Sequence, residues 1–461
     1  PIDGGSSTAG VYSFNPAASI TSGTLTMGQS APGTPPLAAA YTPGAGVANG
    51  TLQLNNTALG SLITHTHNVS GNVTIIDGSI DFSSADNIDN LSSILNIGGN
   101  FSKTGGTFQS SNPSTTGKFG LVNFNGIAQT LNNTTAGSTN REVNFYVLPP
   151  SVSTLINNFD INNTAPGTET FEVRTGGTIV FDASRQMTGG IFNLNAGGNL
   201  RTANTSGINS TGPSGSVVTS TRTFSSAANY EYNGTAAQNT GVFTTTPTIP
   251  LKIVEVNNLT INNTSGSIDG VTAQQDFIVN GIFTATAGKF TIRQRSLTIE
   301  GNIANSGTGV IKGHNTPVAT VPNTELYILG TGAIAGPLRF DQTTPGVSNF
   351  VTAFTYNRIG TSVLSLGSDF GARETFSLAG NKGGSTPAVD GRICVLNIGS
   401  NTLNINGATA FPNPNQCLRG SASSRLIFAT NPDYASDTRF YMDQSAPGVS
   451  NLLQDLTINR P

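Results

Sequence analysis

The residues of this chain that could do chemistry are few and widely spaced. Charged residues make up 10% of the 461 positions, against about 25% in typical soluble domains. The densest acidic group is Asp77, Asp81, Asp86 and Asp89, whose hard carboxylate oxygens suit Ca²⁺. Such a group is more often a solvated polar edge. We therefore keep these four only as calcium candidates and expect no resident metal or cofactor.

Two of the three histidines, His65 and His67, would lie on one face of a strand. No third ligand is evident nearby, which favours a surface pair over a metal site. The sequence has no Asp-Asp pair of the kind that glycoside hydrolysis would use. It also lacks a nucleophile elbow, a Walker loop and zinc-ligand spacing. We therefore expect no catalytic residue and no enzyme activity, with a polysaccharide-active β-helix as the second alternative.

The two cysteines, Cys394 and Cys417, are 23 positions apart. In an exported protein an isolated pair predicts a disulfide, whereas in a cytosolic protein it indicates two unrelated thiols. Their spacing is close to one turn of many β-solenoids. The expected disulfide would then link neighbouring turns.

The elements that must position these residues are short strands. Helical periodicity is almost absent, and apolar residues alternate or form short runs between Gly, Asn and Pro, as in residues 178–181 and 296–299. Among the 55 glycines, pairs such as Gly98 and Gly99 permit the positive φ angles of tight turns. The pattern predicts an all-β protein.

Strand-and-turn phrases recur along the chain at long intervals. Three phrases do so: residues 340–349 (FDQTTPGVSN) return at 442–451 (MDQSAPGVSN), residues 158–164 return at 258–264, and residues 124–129 are echoed at 232–238. Such recurrence indicates a repeat architecture. A repeat chain is usually suited to shape and surface rather than to one catalytic pocket.

Two architectures fit these repeats. A β-solenoid, a rod similar to a β-helix, is favoured because Gly-Gly-Asn turns recur without the long connections of a Greek key. Asn residues on adjacent turns could also form amide ladders. The intervals of about 100 residues equally suit tandem β-sandwich domains, which remain the alternative. A solenoid with about 20–25 residues per turn and about 4.8 Å between turns would be roughly 100 Å long.

The two ends of the sequence differ from its middle. Residues 1–46 are rich in Pro and Ala and are expected to form an extended N-terminal arm, followed by a continuous repetitive β-solenoid over residues 47–461. The last phrase reads as a strand without a polar cap. An arm at one end and an uncapped strand at the other would suit head-to-tail assembly by strand addition. Four residues are therefore the assembly candidates: Leu456, Thr457, Ile458 and Asn459.

Charge and hydropathy limit the partners. The net charge is -3, and the basic residues form no patch, so we expect no nucleic-acid binding. No stretch approaches the roughly 20 apolar residues of a membrane helix, so no membrane span is expected. The chain opens with Pro1 and no signal segment, and we read it as the mature part of an exported precursor.

The tyrosines offer a further surface to consider. Six of them could form a sugar-stacking face, although aromatic residues in strands more often pack in the core or along the solenoid face: Tyr230, Tyr232, Tyr327, Tyr356, Tyr434 and Tyr441. A glycan or another cell surface is accordingly an alternative partner to a second copy of the chain.

The phrases at 341–346 and 456–460, and the Asn-Gly-x-Ala-Gln phrase followed by residues 258–264, resemble repeats in very large surface proteins of Bacteroidota. The resemblance implies export, typically by the type IX route, and a cell-surface or extracellular location. It carries no catalytic residue, and the sequence lacks the C-terminal sorting domain of those proteins. We expect a structural protein, the subunit of a cell-surface fibre. The alternative is a single-chain adhesin stalk.

Overall fold

The structure, a computed structural model, describes a little over two thirds of the chain. The described ranges are 11–13, 19–20, 25–27, 51–53, 66–75, 79–82, 94–109, 120–134, 139–161, 169–208, 214–219, 221–243, 253–305, 307–314, 324–378, 393–411, 414–429 and 440–459. All regular secondary structure in these ranges is β-strand.

The chain divides into two compact units. Unit 1 comprises Pro1–Asn204 and Ile208–Ala228, and unit 2 comprises Thr205–Gly207 and Asn229–Pro461. The described strands of unit 1 are β1 (Val11–Ser13), β2 (Ser19–Ile20), β3 (Leu25–Met27), β4 (Thr51–Gln53), β5 (Thr66–Val69), β6 (Val73–Ile75), β7 (Ser79–Asp81), β8 (Ile94–Ile97), β9 (Phe101–Lys103), β10 (Thr107–Gln109), β11 (Gly120–Phe124), β12 (Ala128–Asn133), β13 (Thr139–Arg141), β14 (Val143–Val147), β15 (Val152–Asp160), β16 (Thr170–Val173), β17 (Thr178–Phe181), β18 (Met187–Thr188), β19 (Ile191–Leu194), β20 (Asn199–Thr202) and β21 (Thr221–Phe224).

The described strands of unit 2 are β22 (Asn229–Tyr232), β23 (Gln238–Asn239), β24 (Val254–Val256), β25 (Asn258–Asn262), β26 (Val271–Thr272), β27 (Phe277–Val279), β28 (Ile282–Ala287), β29 (Lys289–Thr291), β30 (Ser296–Ile299), β31 (Asn302–Ala304), β32 (Val310–Lys312), β33 (Glu325–Ile328), β34 (Ile334–Ala335), β35 (Phe350–Tyr356), β36 (Thr361–Ser365), β37 (Phe370–Ser377), β38 (Ile393–Asn397), β39 (Thr402–Ile405), β40 (Ala408–Ala410), β41 (Gln416–Arg419), β42 (Arg425–Phe428) and β43 (Asp455–Ile458).

Unit 1 is a parallel β-solenoid with three sheets. Their strand orders are β1-β4-β7-β10-β13, β2-β5-β8-β11-β14-β16-β19-β21 and β3-β6-β9-β12-β15-β17-β20, with β18 beside β15. Through most of the unit, neighbours in a sheet are three strands apart along the chain, so each turn gives one strand to each sheet. Thr51, for example, pairs with Ser79, 28 positions further on.

Unit 2 is wound in the same way. Its sheets run β22-β25-β28-β31-β34, β23-β26-β29-β32, β24-β27-β30-β33-β35-β37-β39-β42-β43 and β36-β38-β41, with β40 beside β37. Turn length varies more than the sequence suggested. Val271 pairs with Phe290, 19 positions away, and Phe370 pairs with Leu403, 33 positions away, because segments of different length connect the strands.

The core of unit 1 is an aromatic column. In-register parallel strands place equivalent side chains above one another about 4.8 Å apart. The rings of Phe145 and Phe171 are accordingly stacked with centroids 6.3 Å apart, and those of Phe171 and Phe192 lie 6.2 Å apart. All three side chains are fully buried, so much of the apolar stabilisation comes from contacts between successive turns.

An amide ladder forms on one sheet of unit 1, as the Asn-rich sequence predicted. Asn68, Asn96 and Asn123 are in register on β5, β8 and β11. The side-chain N–H of Asn96 donates to Oδ1 of Asn68 (2.7 Å), and that of Asn123 donates to Oδ1 of Asn96 (2.8 Å). The ladder and the parallel sheets together confirm the predicted all-β solenoid.

The predicted division into an N-terminal arm and one continuous solenoid stays a prediction, and two observations bear on it. Residues 1–46, expected to be an extended arm, contain β1, β2 and β3, which pair in parallel with β4, β5 and β6. These strands have only two or three residues each, too few to stand out among Pro and Ala. Residues 47–461, expected to be one continuous solenoid, fall into the two compact units.

Candidate functional site

The strand β43 contains three of the four assembly candidates, Asn459 follows it directly, and it is the last strand of its sheet among the described strands. It pairs in parallel with β42, which places Leu456 beside Leu426 and Ile458 beside Phe428. The backbone N–H of Asn459 also donates to the carbonyl of Phe428 (2.8 Å). On its other edge, β43 pairs with none of the strands that the structure describes. That edge offers backbone N–H and C=O groups to a further strand.

Two side chains of β43 continue the core of unit 2 yet are exposed. Leu426 and Phe428 are 0% and 2% exposed, whereas Leu456 and Ile458 are 49% and 65% exposed. Paired residues of in-register strands lie on the same face of the sheet, so all four side chains point towards the core. Thr457, between the last two, points to the opposite face. Covering Leu456 and Ile458 would contribute about 1 kcal/mol each.

An internal copy of β43 shows how this strand is built. The repeated phrase leads into β35 in its first copy and into β43 in its second, with equivalent residues 102 positions apart. The backbone N–H of Asn357 donates to Ile328 (2.9 Å), as that of Asn459 donates to Phe428 (2.8 Å). Two further pairs of backbone hydrogen bonds are equivalent: Thr352 and Ala353 to Thr324 (2.8 and 3.3 Å), and Gln454 and Asp455 to Ser424 (2.7 and 3.4 Å).

The copies differ in what covers them. The first-copy strand, β35, has β33 on one edge and β37 on the other, where Phe376 lies beside Phe354. Phe354 and Tyr356 are fully buried, whereas their equivalents Leu456 and Ile458 are largely exposed. Thus β43 has the backbone setting of an interior strand but lacks the covering strand among the described residues.

The phrase before each strand folds into a hydrogen-bonded turn. In the first copy, Oδ1 of Asp341 accepts hydrogen bonds from the hydroxyl (2.6 Å) and the backbone N–H (3.3 Å) of Thr343. The hydroxyl of Ser348 donates to the backbone carbonyl of Asp341 (2.8 Å). The N–H of Gly346, which has a φ of +82°, donates to Oδ1 of Asn349 (2.8 Å). The positive φ accounts for glycine at this position.

The second copy repeats these bonds. The Asp443 carboxylate accepts from the backbone N–H and the hydroxyl of Ser445, both at 2.9 Å. The hydroxyl of Ser450 donates to the backbone carbonyl of Asp443 (2.8 Å), and Gly448, with a φ of +80°, donates to Asn451 (2.7 Å). The turn is therefore a conformation encoded within the phrase itself.

Each turn is tied to the solenoid by a cation on another strand. Nζ of Lys289 lies 3.1 Å from Oδ1 of Asp341, and Nε of Arg419 lies 2.6 Å from Oδ2 of Asp443. Burial alone would raise the pKa of both carboxyls. The hydrogen bonds from the turn and from the cation outweigh burial and lower the pKa of both Asp341 and Asp443 below its ordinary value.

The predicted disulfide is not formed. Cys394 and Cys417 are buried on neighbouring strands, and their thiols are not joined in a disulfide. Cys394 is in register with Gln416, and Cys417 is in register with Val395. Because side chains alternate along a strand, the two thiols point to opposite faces of the sheet. Burial also raises the pKa of Cys417 to about 11, which leaves little thiolate for exchange.

The calcium and histidine candidates stay predictions. Asp81 is the last residue of β7, and His67 lies in β5. Within the described ranges, no three His, Cys, Asp or Glu side chains come together as a metal-binding group. The remaining candidates lie outside the described residues: Asp77, Asp86, Asp89 and His65.

Most of the tyrosines considered for sugar stacking are in the core. Four are buried, namely Tyr230, Tyr232, Tyr327 and Tyr356. Tyr441 is half-buried, and Tyr434 lies outside the described residues. The four buried rings do not form an external aromatic face.

Sequence reasoning missed the roles of Asp341 and Asp443. Their phrases were recognised as repeats, but no function was given to the carboxylates or to Lys289 and Arg419. The usable signal was that both copies keep an acidic residue at the same position in a chain with few charges.

Comparison with known proteins gives no match to any family model, curated protein or solved structure. The resemblance to Bacteroidota surface proteins therefore stays a prediction. No helix in the part of the chain that the structure describes has the length and apolar character needed to cross a membrane.

Proposed function

We propose that this chain is an extracellular structural protein that assembles head to tail into a cell-surface fibre, with β43 of one copy receiving a strand of the next. The observation that supports this most directly is the comparison of β35 with β43. The two strands follow the same turn and make the same backbone hydrogen bonds. Of these two strands, β35 is paired on both edges among the described strands, whereas β43 is paired on one edge.

Strand β35, which is covered by β37, indicates what a strand added to β43 must provide. Over β35, the neighbouring β37 supplies parallel backbone pairing and places Phe376, which is fully buried, beside Phe354. A strand added to β43 would pair in parallel and bring apolar side chains over Leu456 and Ile458. Backbone hydrogen bonds give affinity in this mode of recognition, and alternate side chains give specificity.

The partner is a second copy of this chain because unit 1 offers matching backbone edges. Strands β1, β2 and β3 each begin a sheet, and each pairs on one edge only among the described strands. All their pairings are parallel, as the addition to β43 requires. Strand addition between β43 of one copy and one of these strands of the next would thus join the two copies through a parallel sheet.

Electrostatics would permit this contact. The charges beside the free edge form one surface pair, in which Nε of Arg425 lies 3.1 Å from Oδ2 of Asp455 and both side chains are about half exposed. The chain as a whole has 10% charged residues and a net charge of -3. Repulsion between copies would therefore be small.

The test is negative-stain electron microscopy with light scattering, comparing the native protein with Leu456→Asp/Ile458→Asp. We expect fibres of constant width from the native protein and their loss in the variant, since two charges would replace the apolar docking face. The matched control is Thr457→Asp, which adds a charge on the same strand but on the opposite face and should retain assembly.

Separate particles of the native protein at all concentrations would overturn the proposal and favour the single-chain adhesin stalk. Loss of fibres in Thr457→Asp as severe as in the double variant would contradict docking on the core-facing side. Circular dichroism would establish that each variant keeps its β-structure.

A further inference from the structure

Lys103, in unit 1, is a charged residue type placed in the apolar interior. It is the last residue of β9 and is 0% exposed, like Phe101 two positions before it on the same face. Its Nζ has no hydrogen-bond partner among the described residues. Burial lowers the pKa of Lys103 to about 7, with the Asp160 carboxylate opposing this shift only in part. Near neutral pH a large share of this amine is therefore unprotonated and nucleophilic.

An amide faces this amine from the next turn. Asn133 on β12 is in register with Lys103 and is 1% exposed. Its Nδ2 donates to the backbone carbonyl of Asp160 (2.6 Å). Its Oδ1, like Nζ of Lys103, has no hydrogen-bond partner among the described residues. Two buried polar groups thus lie on the same face of adjacent strands, about 4.8 Å apart in backbone position, and both remain unsatisfied.

The following turn contributes a charge and an aromatic ring to the surroundings of these two groups. Asp160 on β15 is 9% exposed, and its charge acts on Lys103 while its backbone holds the Asn133 amide. The adjacent ring of Phe159 packs against Phe101 and Phe145, with centroids 6.5 and 5.2 Å apart. Asn133 is in register with Lys103 on one side and with Phe159 on the other, so the amine and the amide lie in an aromatic environment.

We propose that Lys103 and Asn133 join in an intramolecular isopeptide bond. The unprotonated Nζ attacks Cγ of Asn133, the Nζ–Cγ bond forms, and the Cγ–Nδ2 bond breaks. Nδ2 leaves as ammonia after taking one proton from Nζ, while the other proton stays on the new secondary amide. No oxidant, reductant or other reactant is required.

The bond has a physical rationale. A buried amine without a partner is costly, because its charged form loses hydration that nothing replaces. Forming the amide removes the titratable amine from the core. It also links β9 to β12 covalently across 30 positions of chain, which limits the unfolded ensemble as a disulfide does. The proposal is independent of fibre assembly.

The test is the intact mass of the folded full-length protein together with peptide mapping. We expect a mass lower than the sequence mass by one ammonia, and a cross-linked peptide that contains both Lys103 and Asn133. Trypsin should fail to cleave after Lys103. Lys103→Met should have its full sequence mass, and Asn133→Asp should lose water in place of ammonia if it reacts.

An unmodified mass in the folded native protein, with a Lys103 amine that accepts reductive methylation after unfolding, would overturn the proposal. A second readout is the pH dependence of stability. A free Lys103 would make native stability rise between about pH 7 and pH 10.5 relative to Lys103→Met, because the unfolded chain then binds more protons. The cross-linked protein should lack this rise.

Discussion

At the residue scale, the turns at 341–349 and 443–451 depend on one carboxylate each. Asp443 accepts hydrogen bonds from Ser445 and Arg419, and its side chain is 8% exposed. Charge-assisted hydrogen bonds of this kind contribute about 1.5–3 kcal/mol. The turn positions β43, so its carboxylate influences the edge that we assign to assembly.

We predict that Asp443→Asn lowers the free energy of unfolding of unit 2 by about 1–3 kcal/mol at pH 7. Because the pKa of Asp443 is lowered in the folded state, its stabilisation is present above the ordinary Asp pKa of about 3.9 and is lost as pH falls below it. Urea unfolding at pH 7 and pH 3 would measure both effects.

The matched control for this prediction is Asp455→Asn. It removes the same charge 12 positions later, from a surface pair with Arg425 whose two side chains are about half exposed. Exposed pairs are worth about 0–1 kcal/mol, so the control should change stability little. Equal losses in the two variants would show that the turn network is not what stabilises this region.

The sequence could not reveal these roles by itself. Residues 341–349 and 443–451 were recognisable as copies. The bond from Ser348 to the Asp341 carbonyl, however, spans seven positions and forms only in the folded turn. The cysteines illustrate the same limit. Their spacing matched one turn, but the register Cys394–Gln416 sends the thiols to opposite faces, and a spacing alone does not give register.

At the element scale, a buried glutamine fastens neighbouring turns of unit 1. Gln129 is 2% exposed and lies in the repeated Asn-Gly-x-Ala-Gln phrase. Its Oε1 accepts from the backbone N–H of Gly126 (3.0 Å) and from the hydroxyl of Ser151 (3.0 Å), while its Nε2 donates to the carbonyls of Ile97 (2.7 Å) and Gly99. One side chain thus connects three turns.

We predict that Gln129→Leu lowers the free energy of unfolding by about 2–4 kcal/mol, since it leaves several buried backbone groups unpaired. Hydrogen exchange should accelerate first at Gly126 and Val152, because damage in a repeat fold stays near its source. Thr130→Val is the control on the opposite face of β12 and should change exchange little. A uniform acceleration of hydrogen exchange across unit 1 would contradict a local stabilising role of Gln129.

The elements themselves were largely predictable from local pattern. Alternation and Gly-Asn turns identified the strands, and the Asn content anticipated the ladder through Asn68, Asn96 and Asn123. The turn lengths, which in unit 2 range from 19 to 33 positions, were not predictable, because inserted segments between strands leave the register of the sheets unchanged. Strands β1 to β3 were missed because they are too short to show a strand pattern in the sequence. They are recognised as strands only by their pairing with the next turn.

At the scale of the whole molecule, the low net charge and the apolar, hydrogen-bonding edge of β43 would both favour association between copies. The 21 basic and 24 acidic residues nearly cancel. The face proposed for assembly consists of backbone groups together with Leu456 and Ile458, which are 49% and 65% exposed. Assembly would therefore be governed by hydrogen bonding and apolar burial, with little electrostatic steering.

We predict that the rate of fibre growth changes by less than about tenfold between about 0.01 M and 1 M NaCl, although the Debye length falls from about 30 to 3 Å. Time-resolved light scattering at fixed protein concentration would measure it, with Asp455→Asn as a control that removes the charge pair found beside the edge among the described residues. Growth should also slow on cooling, because apolar burial weakens at low temperature. A steep fall in rate with salt that disappears in Asp455→Asn would show that the Arg425–Asp455 pair, and not the apolar edge, directs the contact between copies.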